Sequence, residues 1–247
     1  MGKYIEQCKV LSNVKKAKDV WQITVQTDKI AKESNPGQFV EISIAENTSE
    51  LLKRPFGVFA TNGNELSLLY KVKGKVTTQM TKLIAGNSLS VVGPLGNEFT
   101  INEKKKVLLL GGGIGVAPVY FLKQALEAKG NVVHLLYGVR DRAELVDLET
   151  MNVINHVDEE EGFFACDRLE ALINNLQIDE LKVCGPMPLM KESAKVAKRL
   201  GVNVELSLEE KMACGFGACV GCVIQTQDGY KRVCADGPVF EGEYIKW

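Results

Sequence analysis

Three of the seven cysteines in this 247-residue chain fall within nine positions. "CGFGACVGC" holds Cys214, Cys219 and Cys222, and "RVCADGP" adds Cys234 after eleven intervening residues. Sulfurs at such spacing serve as disulfide partners, zinc ligands or iron ligands. The start "MGKYIEQCKV" shows no basic stretch followed by an apolar run and a cleavage site, so the expectation is a cytoplasmic, reducing setting in which disulfides do not persist. Structural zinc usually takes two close ligand pairs, whereas C-x4-C-x2-C with one remote cysteine is the plant-type 2Fe–2S spacing. The intervening residues, Gly215, Phe216, Gly217, Ala218, Val220 and Gly221, are mostly small, so backbone can wrap closely and aim N–H groups at thiolates. The pattern points to a 2Fe–2S cluster, with a zinc site as the alternative.

A second chemical feature is "GGGIGVAP", Gly111 to Pro118, which follows an apolar run and opens a helical pattern. Glycines there let backbone approach a ligand, and the free N–H groups of the helix start suit a pyrophosphate. It is not the G-x-G-x-x-G fingerprint, and no acidic residue ends the next apolar run: Arg140, Asp141 and Arg142 follow "LLYGV". The two arginines suit either a 2′-phosphate or solvent, which leaves the choice between NAD and NADP open. Cys184, in "CGPMPLM", stands at the carboxyl end of another apolar run, where open α/β sheets place ligands. Cys8 and Cys166 read as structural, His134 as a core residue and His156 as part of a polar surface loop.

Three kinds of element must position these groups. Up to about residue 100, short runs of β-formers recur between turns ("VWQITVQT", "GQFVEISI", "FGVFAT", "ELSLLYKV", "SLSVVGP"), which predicts a small antiparallel barrel or sandwich. "KVLLLGGGIGVAPVYFLKQALEAKGNVVHLLYGV" then reads as strand, turn, helix and strand, a βαβ unit. "LKVCGP" adds a strand and "MPLMKESAKVAKRLG" a helix ending before Gly201, so the middle third is α/β with a parallel sheet. "NVELSLE" leads into the cysteine segment. The expected domains are 1–101, 102–206 and 207–247. Thirty basic and thirty-one acidic residues give a formal charge of -1, which speaks against a nucleic-acid partner, and no apolar run reaches the length of a membrane span. "VDEEEG" reads as a solvated segment.

In order, "RPFG" after "GQF", then "GGGIGVAP", "CGPMPLM" and "MACGFGACVGC…RVCADGPVF" resemble the ferredoxin–NADP reductase superfamily. Within it they resemble the electron-transfer subunits of dihydroorotate dehydrogenase B. That resemblance implies an antiparallel β-barrel domain for FAD, an α/β parallel-sheet domain for the nicotinamide and a small C-terminal 2Fe–2S module. It implies that Arg54 pairs with the flavin pyrophosphate while Pro55, Phe56 and Gly57 line the isoalloxazine. It implies a second flavin segment at Leu69, Tyr70 and Lys71, with Val76 and Thr77 standing where relatives carry a phosphate-holding Gly-Thr. Relatives also carry Ser or Thr where this chain has Gly57. Gly111, Gly112, Gly113, Ile114 and Gly115 would hold NAD, and Cys184 would stand by the nicotinamide as the catalytic residue. Cys214, Cys219, Cys222 and Cys234 would hold the cluster. The implied partner is an FMN-containing dihydroorotate dehydrogenase catalytic subunit in a heterotetramer of two of each, passing electrons from FMN through cluster and FAD to NAD in pyrimidine biosynthesis. Alternatives are the NAD(P)H-handling subunit of a sulfhydrogenase or of a bifurcating ferredoxin–NADP reductase, whose first cluster ligand tends to be Asp where this chain has Cys214, and a zinc-stabilised interaction module on a flavin-binding scaffold.

Overall fold

The computed structural model describes residues 2–44, 52–148 and 150–247. It opens with β1 (Tyr4–Ala17), a 14-residue strand in which Cys8 and Val10 point inward between the exposed Gln7, Lys9 and Leu11. There follow β2 (Val20–Gln26), the short helix α1 (Ile30–Glu33), β3 (Phe39–Ser43), β4 (Arg54–Asn62), β5 (Glu65–Lys71), α2 (Lys75–Met80) and β6 (Ser88–Leu95). These strands close a barrel in the order β1-β2-β5-β4-β3-β6. Ile23, Val25, Val40, Ile42, Leu66, Leu68 and Leu89 fill its interior. Alternation sets the two faces: Val40 and Ile42 point inward, whereas Phe39, with Val92 and Leu95, joins the core outside the barrel.

β7 (Lys106–Gly112), α3 (Val116–Ala128), β8 (Val132–Val139), β9 (Val153–Val157), α4 (Asp158–Glu161), α5 (Leu169–Leu176), β10 (Glu180–Cys184), α6 (Met187–Leu200) and β11 (Asn203–Ser207) build the second layer. The five strands are parallel in the order β11-β10-β7-β8-β9. Leu108 and Leu110 pack on one face and Val107 and Leu109 on the other, as a sheet covered on both sides requires. The α6 helix ends at Gly201, whose φ of 67° makes the left-handed cap.

Residues 207–247, expected as a module of their own, fold into the hairpin β12 (Val223–Thr226) and β13 (Gly229–Arg232), α7 (Val233–Asp236) and β14 (Val239–Glu241). β14 pairs antiparallel with β11 and becomes the sixth strand of the parallel sheet. Asn97, just after the barrel, fastens this strand: its amide oxygen accepts from the Val239 N–H at 2.9 Å, and its amide nitrogen donates to the Val239 carbonyl at 2.8 Å. The cysteine segment is thereby wedged between the outer face of β3 and β6 and the edge of the sheet.

Candidate functional site

The glycine turn lies between β7 and α3, where Gly113–Gly115 form a single 3-10 turn. A Cβ on Gly115 would stand 2.4 Å from the Cys184 carbonyl oxygen, and one on Gly111 would stand 2.7 Å from the Val116 Cα. Only glycine permits these approaches. Cys184 is the last residue of β10, in register with Gly111 on one side and Ser207 on the other. Burial pushes its thiol upward, Glu209 adds to this and a hydrogen bond with Ser207 opposes it, so at neutral pH it is a thiol and not a nucleophilic thiolate.

A cavity of about 680 Å³ opens in front of this strand end. Its wall carries Arg54, Pro55, Phe56 and Gly57 from β4, Leu69, Tyr70 and Lys71 from β5, Val76 and Thr77 from α2, and Cys184. Of the glycine turn only Ile114 reaches the wall; Gly111, Gly112, Gly113 and Gly115 are not part of it. The two domains meet along one side, where Phe59 of β4 stacks on Tyr120 of α3 with ring centroids 4.6 Å apart. Tyr70 is fully buried, donates its hydroxyl to Asn13 Oδ1 at 3.1 Å and meets Phe56 edge-on.

Two departures from the family pattern acquire a physical reading. A Cβ on Gly57 would sit 3.4 Å from Pro118, ordinary contact, so the missing hydroxyl is not excluded by space. Val76 buries its side chain in the barrel core, and the glycine absent at that position stands instead at Gly74, the N-cap of α2. Thr77 Oγ1 accepts from the N–H groups of Lys73 and Gly74, at 2.9 and 3.1 Å, which fixes the turn that carries Lys73 and Lys75 along the wall. Lys71 pairs with Glu144 at 2.7 Å.

The far wall was not foreseen. Ser207, Glu209, Glu210 and Met212, leading from β11 into the cysteine segment, face the flavin-barrel residues across the cavity. Glu209 is reached through the cavity mouth yet surrounded by protein walls, and that enclosure raises its carboxyl against the opposing pull of Lys73. No local pattern marks these residues, because the path of the chain after β11 places them.

The four cysteines divide into two pairs. The Cys219 N–H donates to Cys214 Sγ and the Cys234 N–H to Cys222 Sγ, each at 3.4 Å. Cys222 and Cys234 are buried in one apolar cluster with Phe39, Leu95 and Phe240, whereas Cys214 is half-buried and Cys219 exposed. Burial raises the Cys214 thiol, but hydrogen bonds from Cys219, Phe216 and Ala218 outweigh it and bring it down to about 6. Burial, reinforced by Cys222, pushes Cys234 up to about 12. Among the described residues no three His, Cys, Asp or Glu side chains stand together as a ready metal site. Arg232 ties the halves together: it donates to the Gly217 carbonyl at 3.1 Å and clasps Asp236 with Nε and Nη2 at 3.0 and 3.2 Å.

Glu41 of β3 stands between cavity and cysteines. It is 1% exposed, lies opposite Pro55 in register, and a Cβ on Gly215 would fall 2.3 Å from its carboxyl carbon. His156, expected in a surface loop, is instead fully buried on β9, because its Nε2 lies 2.9 Å from the Phe163 carbonyl and Asp158 and Glu161 flank the ring. His134, expected in the core, is half-buried on β8. Cys8 and Cys166 are buried and their thiols pushed up, by burial first, to about 12 and about 11, which leaves them inert.

Comparison with known proteins adds an independent line. Residues 209–246 match the iron–sulfur cluster binding domain of dihydroorotate dehydrogenase B. The dihydroorotate dehydrogenase B (NAD(+)) electron transfer subunit of Caldanaerobacter subterraneus subsp. tengcongensis is 36% identical, over 97% of each chain, and that of Clostridium perfringens 34% identical over 97% of each. A solved NADH-dependent reduced ferredoxin–NADP oxidoreductase, studied for flavin-based electron bifurcation, superposes with a TM-score of 0.87 at 29% identity, covering 98% of this chain and 90% of that one. A cytochrome P450 reductase from Amycolatopsis shares the fold at a TM-score of 0.64 and 23% identity. Identity at that level, sustained from the barrel to the last cysteine, means that this chain belongs to the family of electron-transfer subunits of NAD(+)-dependent dihydroorotate dehydrogenase B.

Proposed function

We propose that the cavity holds FAD, that Cys214, Cys219, Cys222 and Cys234 hold a 2Fe–2S cluster, and that the turn at Gly111–Gly115 holds NAD(+), so that the chain carries electrons from an FMN-containing dihydroorotate dehydrogenase subunit to NAD(+). The observation that carries this reading is the single cavity on whose wall the β4 segment, the Cys184 strand end and the approach to the cysteines all meet. Its volume lies within the roughly 300–1,000 Å³ of cofactor sites. A flavin exchanges a hydride pair with single electrons, which an iron–sulfur cluster passes one at a time. Arg54, with Lys73 and Lys75, would oppose the pyrophosphate charge, and Pro55, Phe56 and Leu69 would cover the ring system. Cys184, a neutral thiol at a strand end, would orient the nicotinamide without reacting with it. The two-by-two grouping of the cysteines suits two irons, one pair for each, with backbone N–H groups already aimed at the sulfurs.

Phe216 and Val220 in the cysteine loop and Val223 and Tyr230 on the hairpin that follows it are exposed, by 52, 58, 37 and 75% respectively. We place the FMN-containing subunit on this apolar face, in a heterotetramer of two of each chain in the cytoplasm. Among the described residues no helix is long and apolar enough to cross a membrane. Anaerobically purified protein should hold FAD and about two irons and two sulfides per chain, and should pass electrons from NADH to artificial acceptors. Dihydroorotate should be oxidised only once the FMN subunit is added. Stoichiometric zinc without sulfide, or dihydroorotate turnover by this chain alone, contradicts the reading. The bifurcating superposition favours a second reading, an NAD(P)H-handling subunit for a ferredoxin-dependent partner. Failure to bind the FMN subunit while cluster and FAD are intact would select it.

A further inference from the structure

The loop after β8 stands where a βαβ unit meets the adenosine ribose, the place at which an acidic side chain takes a 2′-hydroxyl and an arginine a 2′-phosphate. Arg140 and Arg142 occupy it, which on residue type alone suits a 2′-phosphate. The structure surrounds both with carboxylates. Arg140 Nε donates to Glu159 Oε1 at 3.1 Å, and Arg142 grips Glu160 with two nitrogens, Nε at 2.6 Å from Oε1 and Nη2 on Oε2. Both glutamates belong to α4, the run Asp158–Glu161, which continues the neighbouring strand β9.

The four acidic residues of that run divide their tasks. Asp158 and Glu161 flank the buried ring of His156, and Arg168 lies 3.6 Å from Glu161, so these two anchor the turn inward. The Glu159 N–H donates to the Arg140 carbonyl at 3.2 Å and joins the turn to the loop after β8. Glu159 and Glu160 are left facing outward, onto the arginines. The other cations of this corner are matched in the same way: Lys18 with Asp141 at 3.0 Å and Lys71 with Glu144 at 2.7 Å.

We infer that Glu159 and Glu160 are specificity-determining residues that exclude a 2′-phosphorylated dinucleotide by holding two carboxylates where the phosphate would lie. This rests on the reading that the glycine turn binds a dinucleotide. Exposed ion pairs are weak, so the arginines can exchange partners readily. What discriminates is the pair of negative charges left beside an incoming dianion, a like-charge juxtaposition built against the wrong ligand. NAD(+), with a free 2′-hydroxyl, meets no such opposition.

The test compares adenosine 5′-monophosphate with adenosine 2′,5′-bisphosphate by calorimetric titration of the complete protein, wild type and Glu159→Gln/Glu160→Gln. Both glutamates are largely exposed and amides keep their shape, so the fold should be unaffected. The double variant should bind the bisphosphate at least about tenfold more tightly, as one freed charge-assisted contact predicts, with the monophosphate unchanged. Adding Arg140→Ala and Arg142→Ala should abolish that gain, and the ratio of kcat/KM for NADP(+) over NAD(+) should move in parallel. An unchanged bisphosphate affinity with monophosphate binding intact overturns the inference. Absence of monophosphate binding in the wild type overturns the dinucleotide reading, and the inference with it.

Discussion

The scaffold of barrel and sheet and the segment carrying the four cysteines hold their ligands by different physics. In the scaffold, Leu108, Leu110, Ile23 and Leu66 are fully buried, and the cavity wall hangs from strands whose pairing needs no ligand. Between Leu208 and Gly221 the chain has no helix or strand, and Gly215, Gly217 and Val220 hold positive φ angles of 71, 92 and 54°. A β-branched residue in that region stores about 1–3 kcal/mol of strain. The cavity wall and the glycine turn are thus shaped by the packed scaffold, whereas the four cysteines divide between core and irregular loop. Cys222 and Cys234 sit in the core; Cys214 and Cys219 lie on the loop.

The largest effect should separate those halves. Cys234→Ser and Cys219→Ser should both lose the cluster, measured as iron and sulfide. Only Cys234→Ser should also expose β13 and α7 to hydrogen exchange, since it removes a fully buried side chain. Equal protection in both variants would show that the core half is no more ordered than the loop half. Gly115→Ala should break the scaffold instead, because its Cβ would meet the Cys184 carbonyl at 2.4 Å; a loss of about 2–4 kcal/mol in denaturant unfolding is expected, with the cluster content per folded chain unchanged.

Arg54→Ala tests the claim that the barrel is prepared in advance. FAD affinity should fall by about a hundredfold as the pyrophosphate loses its guanidinium partner, while the far-ultraviolet circular dichroism stays native. A collapsed barrel would show that the flavin organises it. In protein freed of its cluster, Cys214 should be alkylated ahead of Cys234. Its pKa is lowered to about 6, so the reactive thiolate is already formed at pH 7, and the alkylation rate should fall by about tenfold per pH unit below 6. Cys234, raised to about 12, should stay a thiol throughout. The smallest effect belongs to Gly57→Ser: its Cβ has room at 3.4 Å from Pro118, so stability should change by less than about 0.5 kcal/mol while the flavin potential shifts.

Residue spacing made much of this molecule legible. The βαβ unit was readable because an apolar strand, a glycine run and a helix of period 3.6 each leave a local signature, and the cysteine spacing is itself a local signal, although the pairing of Cys222 with Cys234 depends on the β12–β13 hairpin between them. β1 was not readable: its outward side chains mix apolar Ile5 and Leu11 with polar Gln7 and Lys9, and polar Glu6 shares the inward parity of Cys8 and Val10, where its carboxylate takes the N–H groups that open α1. Glu209 and Glu41 owe their positions to tertiary path alone, one to the exit from β11 and the other to the cysteine segment that covers β3. His156 defeated the polar-neighbour rule because the polar groups beside it turn inward to meet its ring. The run Asp158–Glu161 is solvated as its composition implies, with none of its residues buried, but its ion pairs with Arg140, Arg142 and Arg168 depend on which loops adjoin, not on what adjoins in sequence.

The pairing of Val239–Glu241 with β11 has a consequence for the order in which the ribosome delivers the parts. When residues 203–207 emerge, β11 can dock on β10, but its other edge stays bare until some thirty further residues have been made. During that interval the nascent chain offers an open strand edge, the template on which neighbouring chains aggregate. All four cysteines must be translated before β14 exists, so the last sheet strand closes only on a chain that already carries every sulfur. The sheet is therefore complete only on a chain that already carries all four cysteines, and a chain truncated after Cys222 lacks both Cys234 and the strand that caps the sheet.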